Sequence, residues 1–215
     1  MKHPRIPIAK EGYPFIAFFA FLTLITSILG IESLAWPSLL LTTFVVAFFR
    51  DPERMTDAPE GCLISPADGK VIVIEEQFDD LYLQKQIIKV SIFMNVFNIH
   101  VNRIPFTGIV KKVLYKPGQF YSADSKKGAL LNERCAVIME TKGGKKIVFV
   151  QVAGLIARRI VNWLDPEDTI SRGNRFGLIR FGSRVDLYLP VDSDITIKLG
   201  QKVRAGQTAI ATIKG

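Results

Sequence analysis

Residues 13–31 contain no charged side chain and nothing more polar than Thr23, Thr26 and Ser27. At 1.5 Å per residue such a run reaches about 28 Å as a helix, one hydrocarbon thickness of a bilayer. A second uncharged run covers residues 34–49 and would reach about 24 Å. Glu32 and Ser33 lie between the two, and Pro37 stands near the start of the second. This pattern predicts an N-terminal helical hairpin in or on a membrane, spanning it or re-entrant, over residues 1–50. No small-residue cleavage site leads into a polar mature region, so a removed signal peptide is disfavoured.

Lys2, Arg5 and Lys10 precede the first run, Arg50 and Arg54 follow the second, and the connecting turn has no Lys or Arg. The positive-inside rule then puts both ends, and the domain after them, on the cytoplasmic side of the cell membrane. The formal net charge is +8. Removing the three basic and two acidic residues of segment 1–49 from totals of 28 and 20 leaves 25 against 18, or +7, for the rest. A basic domain suits nucleic acid or an anionic membrane surface. The apolar hairpin favours the membrane and sets nucleic acid aside. Cys62 and Cys135 have no paired or metal-ligand spacing and sit beside apolar residues, as buried free thiols do.

Residues 51–61 (DPERMTDAPEG) read as a linker, and residues 62–215 as a β domain. Short runs rich in Val and Ile occur at 70–75, 87–93, 108–114, 136–140, 146–152, 184–189 and 209–213. Asp68-Gly69, Pro117-Gly118 and Gly143-Gly144 supply turn signals between them, the last a hairpin signal within 141–145. Residues 158–163 fit a strand or a helical turn equally. Segments 104–113 and 199–213 resemble the strand and turn phrases of lipoyl- and biotinyl-type domains. The expected fold is therefore mostly β, a barrel-sandwich-like domain with few short helices behind the membrane hairpin. A carrier domain of that class needs a Lys between small or Met residues at a hairpin tip, which is missing here.

Residues 180–190 (RFGSRVDLYLP) place a Gly-Ser pair immediately before a β-run. On its own that pair is a routine turn. Its company gives it meaning: SPADGK (65–70), IHVNRIP (99–105), QVAGLIARR (151–159) and FGLIRFGSRVDLYLP (176–190) occur in that order. With the N-terminal hairpin, these phrases closely resemble the phosphatidylserine decarboxylase proenzymes, in particular the short bacterial form, over nearly the whole chain.

The resemblance implies self-cleavage between Gly182 and Ser183. Ser183 attacks the Gly182 carbonyl to form an ester, and elimination followed by hydrolysis leaves a pyruvoyl group at position 183. The products are a large chain, 1–182, and a small chain, 183–215, which remain together as a heterodimer; a higher homo-oligomer is compatible with this. The covalent pyruvoyl is the cofactor. It condenses with the amine of phosphatidylserine as a Schiff base and takes up the electrons freed as CO₂ leaves, giving phosphatidylethanolamine in phospholipid biosynthesis. The resemblance also assigns His100 as the base for Ser183 and Asp68 as the group orienting His100. Without it, His100 reads as a structural histidine and Asp68 as part of an Asp-Gly turn. Arg103, Arg134, Arg158 and Arg159 are candidate contacts for an anionic headgroup or members of structural ion pairs. The role of Asn132-Glu133-Arg134 is open. Arg184 departs from the Ser or Thr that many relatives carry after the nucleophile, and Asn102 or Arg103 falls where longer relatives have a second histidine.

Two other readings share parts of this pattern. One is a membrane-tethered β-sandwich without catalysis that binds lipid or a partner. The other is a pyruvoyl enzyme acting on a soluble amino acid. With one histidine in the domain and no paired cysteine, a zinc enzyme is not expected.

Overall fold

The computed structural model describes residues 6–155, 159–180 and 182–213. It divides into two compact units, the first ending at Glu53 and the second covering Arg54–Gly215.

The first unit is a pair of helices, α1 (Tyr13–Ile28) and α2 (Glu32–Phe48). Pro14 stands in the first turn of α1, where a missing N–H costs nothing. The connecting turn is Leu29 to Ile31, with Gly30 at φ +67°, so Glu32 falls inside α2 rather than between the helices. There an acidic side chain complements the N-terminal end of the helix dipole. The helices meet through hydroxyls: Thr23 and Thr42 lie 3.0 Å apart, and Thr26 and Ser38 3.4 Å apart. Small hydroxyl residues at a helix contact with apolar side chains facing outward suit an apolar solvent. Phe18 and Phe21 are each 63% exposed and Leu40 is 72% exposed. Lys10–Ile28, with mean hydropathy 1.5, is long and apolar enough to cross a membrane; Glu32–Phe48 is shorter.

The second unit contains, in chain order, β1 (Cys62–Ile64), β2 (Gly69–Asp79), β3 (Lys85–Met94), β4 (Val101–Arg103), β5 (Gly108–Lys116), α3 (Lys126–Leu131), β6 (Arg134–Glu140), β7 (Lys146–Val152), β8 (Ile160–Asn162), β9 (Thr169–Ile170), β10 (Arg175–Ile179), β11 (Ser183–Pro190), β12 (Asp194–Ile195), β13 (Lys202–Val203) and β14 (Ala209–Thr212). The large sheet runs β13-β2-β3-β11-β7-β6-β5-β9, with every pair antiparallel. Bulges in β2 after Val71 and in β5 after Val110 bend its strands. Two three-stranded sheets, β1-β14-β12 and β4-β10-β8, complete the unit. The mostly-β expectation holds.

One face of the large sheet makes the main core, with Val90, Ile92, Phe149, Val185, Leu187 and Leu189 among its fully buried side chains. The other face carries a second cluster of Ile87, Ala136, Val148, Val150 and Tyr188, covered by Tyr82 and Leu83. Asp79 builds that cover by accepting backbone N–H groups from Leu81, Tyr82 and Leu83. Because β11 is buried on both faces, both side-chain sets are fixed: Ser183 shares the parity of the core-facing Val185, while Arg184 and Asp186 share that of Tyr188. The β6–β7 hairpin forms where Gly143-Gly144 predicts it, with Gly144 at φ +77° and Thr141 N–H donating to the Lys145 carbonyl. The two thiols are free, and burial pushes that of Cys135 above its ordinary pKa.

The segment read as a linker contributes to the second unit. Arg172 donates to the carbonyls of Ala58, Pro59 and Cys62, and Arg54 reaches Asp68.

Candidate active site

Three strand ends converge at one end of the large sheet. Ser183 opens β11, and its Cα partner across the ladder is Met94, the last residue of β3. Lys70 pairs with Phe93, so the start of β2 lies beside them on the far side of β3. Asp68 immediately precedes β2. With strands about 4.8 Å apart, the Asp68 and Ser183 backbones are separated by two strand spacings, about 10 Å.

Asp68 is held firmly. Arg54 Nη1 donates to Oδ1 at 2.5 Å, Arg54 Nη2 to Oδ2 at 2.8 Å, and the Ala205 N–H to Oδ1 at 2.8 Å. The Gly after it reflects a close approach rather than a turn. A Cβ at Gly69 would overlap the Phe93 carbonyl oxygen, 2.9 Å from its carbon. The sequence counts Arg54 among the charges flanking the hairpin; the structure commits it to Asp68, a pairing hidden by its Pro-rich, charged surroundings.

His100 is 2% exposed. Its segment is bracketed by the other two residues' neighbourhoods. Ile179 N–H, four residues before Ser183, donates to the His100 carbonyl at 3.4 Å, and Arg103 N–H donates to the Pro66 carbonyl, two residues before Asp68. The backbone thus carries His100 across the end of the sheet between the Asp68 and Ser183 sides.

Beneath this segment lies a buried amide pair, Asn102 and Gln151, whose contact the sequence does not reveal. Gln151 Nε2 donates to Asn102 Oδ1 at 2.9 Å, and Asn102 Nδ2 points at the Met94 sulfur, 3.7 Å away. Both amides are fully buried. They occupy the IHVNRIP and QVAGLIARR phrases and tie the His100 segment to the strands flanking Ser183.

Gly182 has φ +45°, in the left-handed region that favours glycine. Ser183 is fully buried, and its Oγ has no hydrogen-bond partner among the described residues. A buried hydroxyl in that state costs stability; Ser91 and Ser193 share it, and what sets Ser183 apart is the neighbouring Gly182.

The candidate arginines separate. Arg103 is buried, donates to the Gly173 carbonyl at 2.9 Å and runs against Gly206. Arg134 is buried, with Nε donating to the Asn132 carbonyl at 3.3 Å. Arg159 is exposed, and Arg158 lies outside the described residues. Arg184 faces away from the main core: its Nε lies 2.7 Å from Asp186 Oδ1, its Nη2 donates to Asp186 Oδ2 at 2.8 Å, and its Nη1 donates to the Ala123 carbonyl at 3.2 Å.

Comparison with known proteins gives one answer. Residues 41–211 match the family described as Phosphatidylserine decarboxylase. A phosphatidylserine decarboxylase proenzyme of Desulfotalea psychrophila is 56% identical over 99% of this chain and the whole of the relative. Proenzymes of the same description from Syntrophus aciditrophicus and Syntrophotalea carbinolica are 48% and 44% identical, over 99% and 100% of this chain and all of each relative.

Proposed function

Since the chain belongs to the phosphatidylserine decarboxylase family, we propose that it cuts itself between Gly182 and Ser183 and decarboxylates phosphatidylserine with a pyruvoyl group made from Ser183. The observation that carries this reading is the buried Ser183 Oγ, without a partner among the described residues, next to a glycine at φ +45°.

His100 takes the hydroxyl proton as Ser183 Oγ adds to the Gly182 carbonyl carbon. Asp68, fixed from two sides by Arg54 and the Ala205 N–H, serves as the acidic group that orients His100. Gln151 and Asn102 hold the strand ends that carry these groups. The pyruvoyl group, once formed, supplies the electron-withdrawing carbonyl to which the substrate amine is joined while CO₂ departs.

The cut chains stay together because the small chain is woven through the fold. Its first strand, β11, is hydrogen-bonded to β3 on one side and β7 on the other. Its β13 and β14 pair with β2 and β1 of the large chain. The 19-residue apolar helix ending at Ile28 anchors the enzyme to the cell membrane that holds its lipid substrate. Lys2, Arg5, Lys10 and Arg50, which flank the hairpin, support a β unit on the cytoplasmic side.

The test is the mass of the purified protein together with CO₂ release. Two polypeptides, 1–182 and 183–215, the smaller blocked at its N-terminus, are expected, with CO₂ from phosphatidylserine and none from free serine. Ser183→Ala should give one intact chain and no CO₂ release. An intact wild-type chain, or CO₂ release by Ser183→Ala, would overturn the mechanism.

A further inference from the structure

We infer that Gly154, clamped in place by Asn132, is the seat of the scissile carbonyl and a positioning residue for self-cleavage. This rests on the self-cleavage reading and extends it to two residues not assigned there. Gly154 follows β7, and a Cβ built on it would overlap the Gly182 carbonyl oxygen and lie 2.8 Å from that carbonyl's carbon. The Gly182 carbonyl therefore occupies the space that any side chain at position 154 would fill.

The seat is rigid. Asn132 is 1% exposed; its Nδ2 donates to the Ala153 carbonyl and to the Tyr121 carbonyl, each at 2.7 Å, and its Oδ1 accepts the Tyr121 N–H at 2.8 Å. The Ala153 N–H donates to the Glu133 carbonyl at 2.9 Å. Both polar groups of Ala153, the residue before Gly154, are thus fixed by the Asn132-Glu133 pair.

In the cleavage step the Ser183 Oγ–C bond forms at Gly182, the C–N bond breaks, and the hydroxyl proton passes to the released nitrogen through a base. Nothing is oxidised or reduced. Attack requires the carbonyl carbon in reach of Oγ with its oxygen turned away, and small displacements of reacting atoms are costly in rate. Gly154 lets the oxygen turn to one side; a methyl group there would push it back.

A glycine that admits a neighbouring carbonyl is also found where no chemistry occurs. Gly108 is one: a Cβ there would overlap the Glu140 carbonyl oxygen, 3.0 Å from its carbon. Gly108 lies at the opposite end of the sheet, since Glu140 pairs with Lys146 and Arg134 with Val152. It is the control for sheet damage of the same kind.

The experiment follows cleavage of full-length wild type, Gly154→Ala, Asn132→Asp and Gly108→Ala on denaturing gels, with and without hydroxylamine, which cuts a chain that has reached the ester. Thermal unfolding is measured on Gly154→Ala and Gly108→Ala in a Ser183→Ala background. Gly154→Ala is expected to slow cleavage at least 100-fold and to resist hydroxylamine, because the ester does not form. Asn132→Asp, which keeps the shape and loses the two donors, should slow it at least 5-fold. Gly108→Ala should lower the melting temperature at least as much as Gly154→Ala yet be cut as wild type. Normal cutting of Gly154→Ala, its cutting by hydroxylamine, or equal loss of cutting in Gly108→Ala would each overturn the inference. So would a Gly154→Ala/Ser183→Ala chain that does not fold. An uncut wild-type chain would sink the self-cleavage reading itself.

Discussion

Arg54 and Asp68 form a two-pronged ion pair, each guanidinium nitrogen on its own carboxylate oxygen, with side chains only 9% and 12% exposed. Arg54 begins the β unit, and Asp68 leads into β2 at the Ser183 end of the sheet. The first residue of the unit thus holds a residue of the candidate site. Arg54 Nη1 also donates to the Ala205 carbonyl at 2.8 Å, while the Ala205 N–H donates to Asp68, which closes a ring of three.

Arg54→Ala leaves a buried carboxylate with one backbone donor. Losing one partner of a buried pair costs about 3–5 kcal/mol. A loss in that range is expected in urea unfolding of the Ser183→Ala chain in detergent, with slower cleavage in the Ser183 chain. Arg54→Lys keeps the charge and loses the fork, so it should fall between. Stability and cleavage unchanged in Arg54→Ala would show that the pair supports neither.

Gly182→Ala isolates conformation from crowding. A Cβ there meets nothing within 4 Å, but the backbone sits at φ +45°. The left-handed conformation costs a non-glycine residue about 1–2 kcal/mol. The variant should fold and escape that cost by rotating away from the left-handed region, which moves the carbonyl. Cleavage roughly tenfold slower, read on a denaturing gel, is the expected outcome.

Tyr82 and Tyr188 pack edge to face, ring centroids 5.3 Å apart, and burial raises both phenol pKa values, that of Tyr188 above the usual phenol range. A folded-state pKa above the unfolded value means that the unfolded chain loses its proton first. The stability from the neutral phenols is therefore complete below the unfolded value of about 10 and is lost as pH rises beyond it. Tyr188→Phe should change stability at pH 7 by about 1 kcal/mol or less and flatten the fall in alkali. Parallel alkaline unfolding curves for the two proteins would contradict this.

The sequence was most legible where strands are buried on both faces. The runs at 87–93, 146–152 and 184–189 lie within β3, β7 and β11, because such strands need nearly continuous β-branched and apolar side chains. The two- and three-residue strands β1, β4, β8, β9, β12 and β13 are too short for any period to register. The phrases carrying Asp68, His100 and Ser183 are visible in the chain, but their convergence at one end of the large sheet is set by strand pairing. The grip on Asp68 was not legible, because Arg54 sits 14 residues away in a stretch whose composition says linker. Gly154 was invisible for a related reason. What it touches is decided by a chain segment 28 residues later, and no local pattern records that.

Arg184, the departure at the position after Ser183, is explained by its partner. Arg184 and Asp186 are i and i+2 on one face of β11, each side chain 3% exposed, with Lys89 4.0 Å from Asp186. Arg184 also fixes the Ala123 carbonyl. This face is opposite the one that carries Ser183, so the pair should govern stability rather than the cut. Arg184→Ala is expected to cost about 3 kcal/mol or more, because Asp186 keeps only the more distant Lys89. A double change to Met at 184 and Leu at 186 should recover most of that loss, since an apolar pair of similar volume carries no desolvation cost. In both variants the folded fraction should be cut at Gly182 at close to the wild-type rate. Unfolding curves give the first two outcomes and a cleavage time course the third. A slow cut in the stable double variant would move Arg184 from the fold to the cleavage machinery.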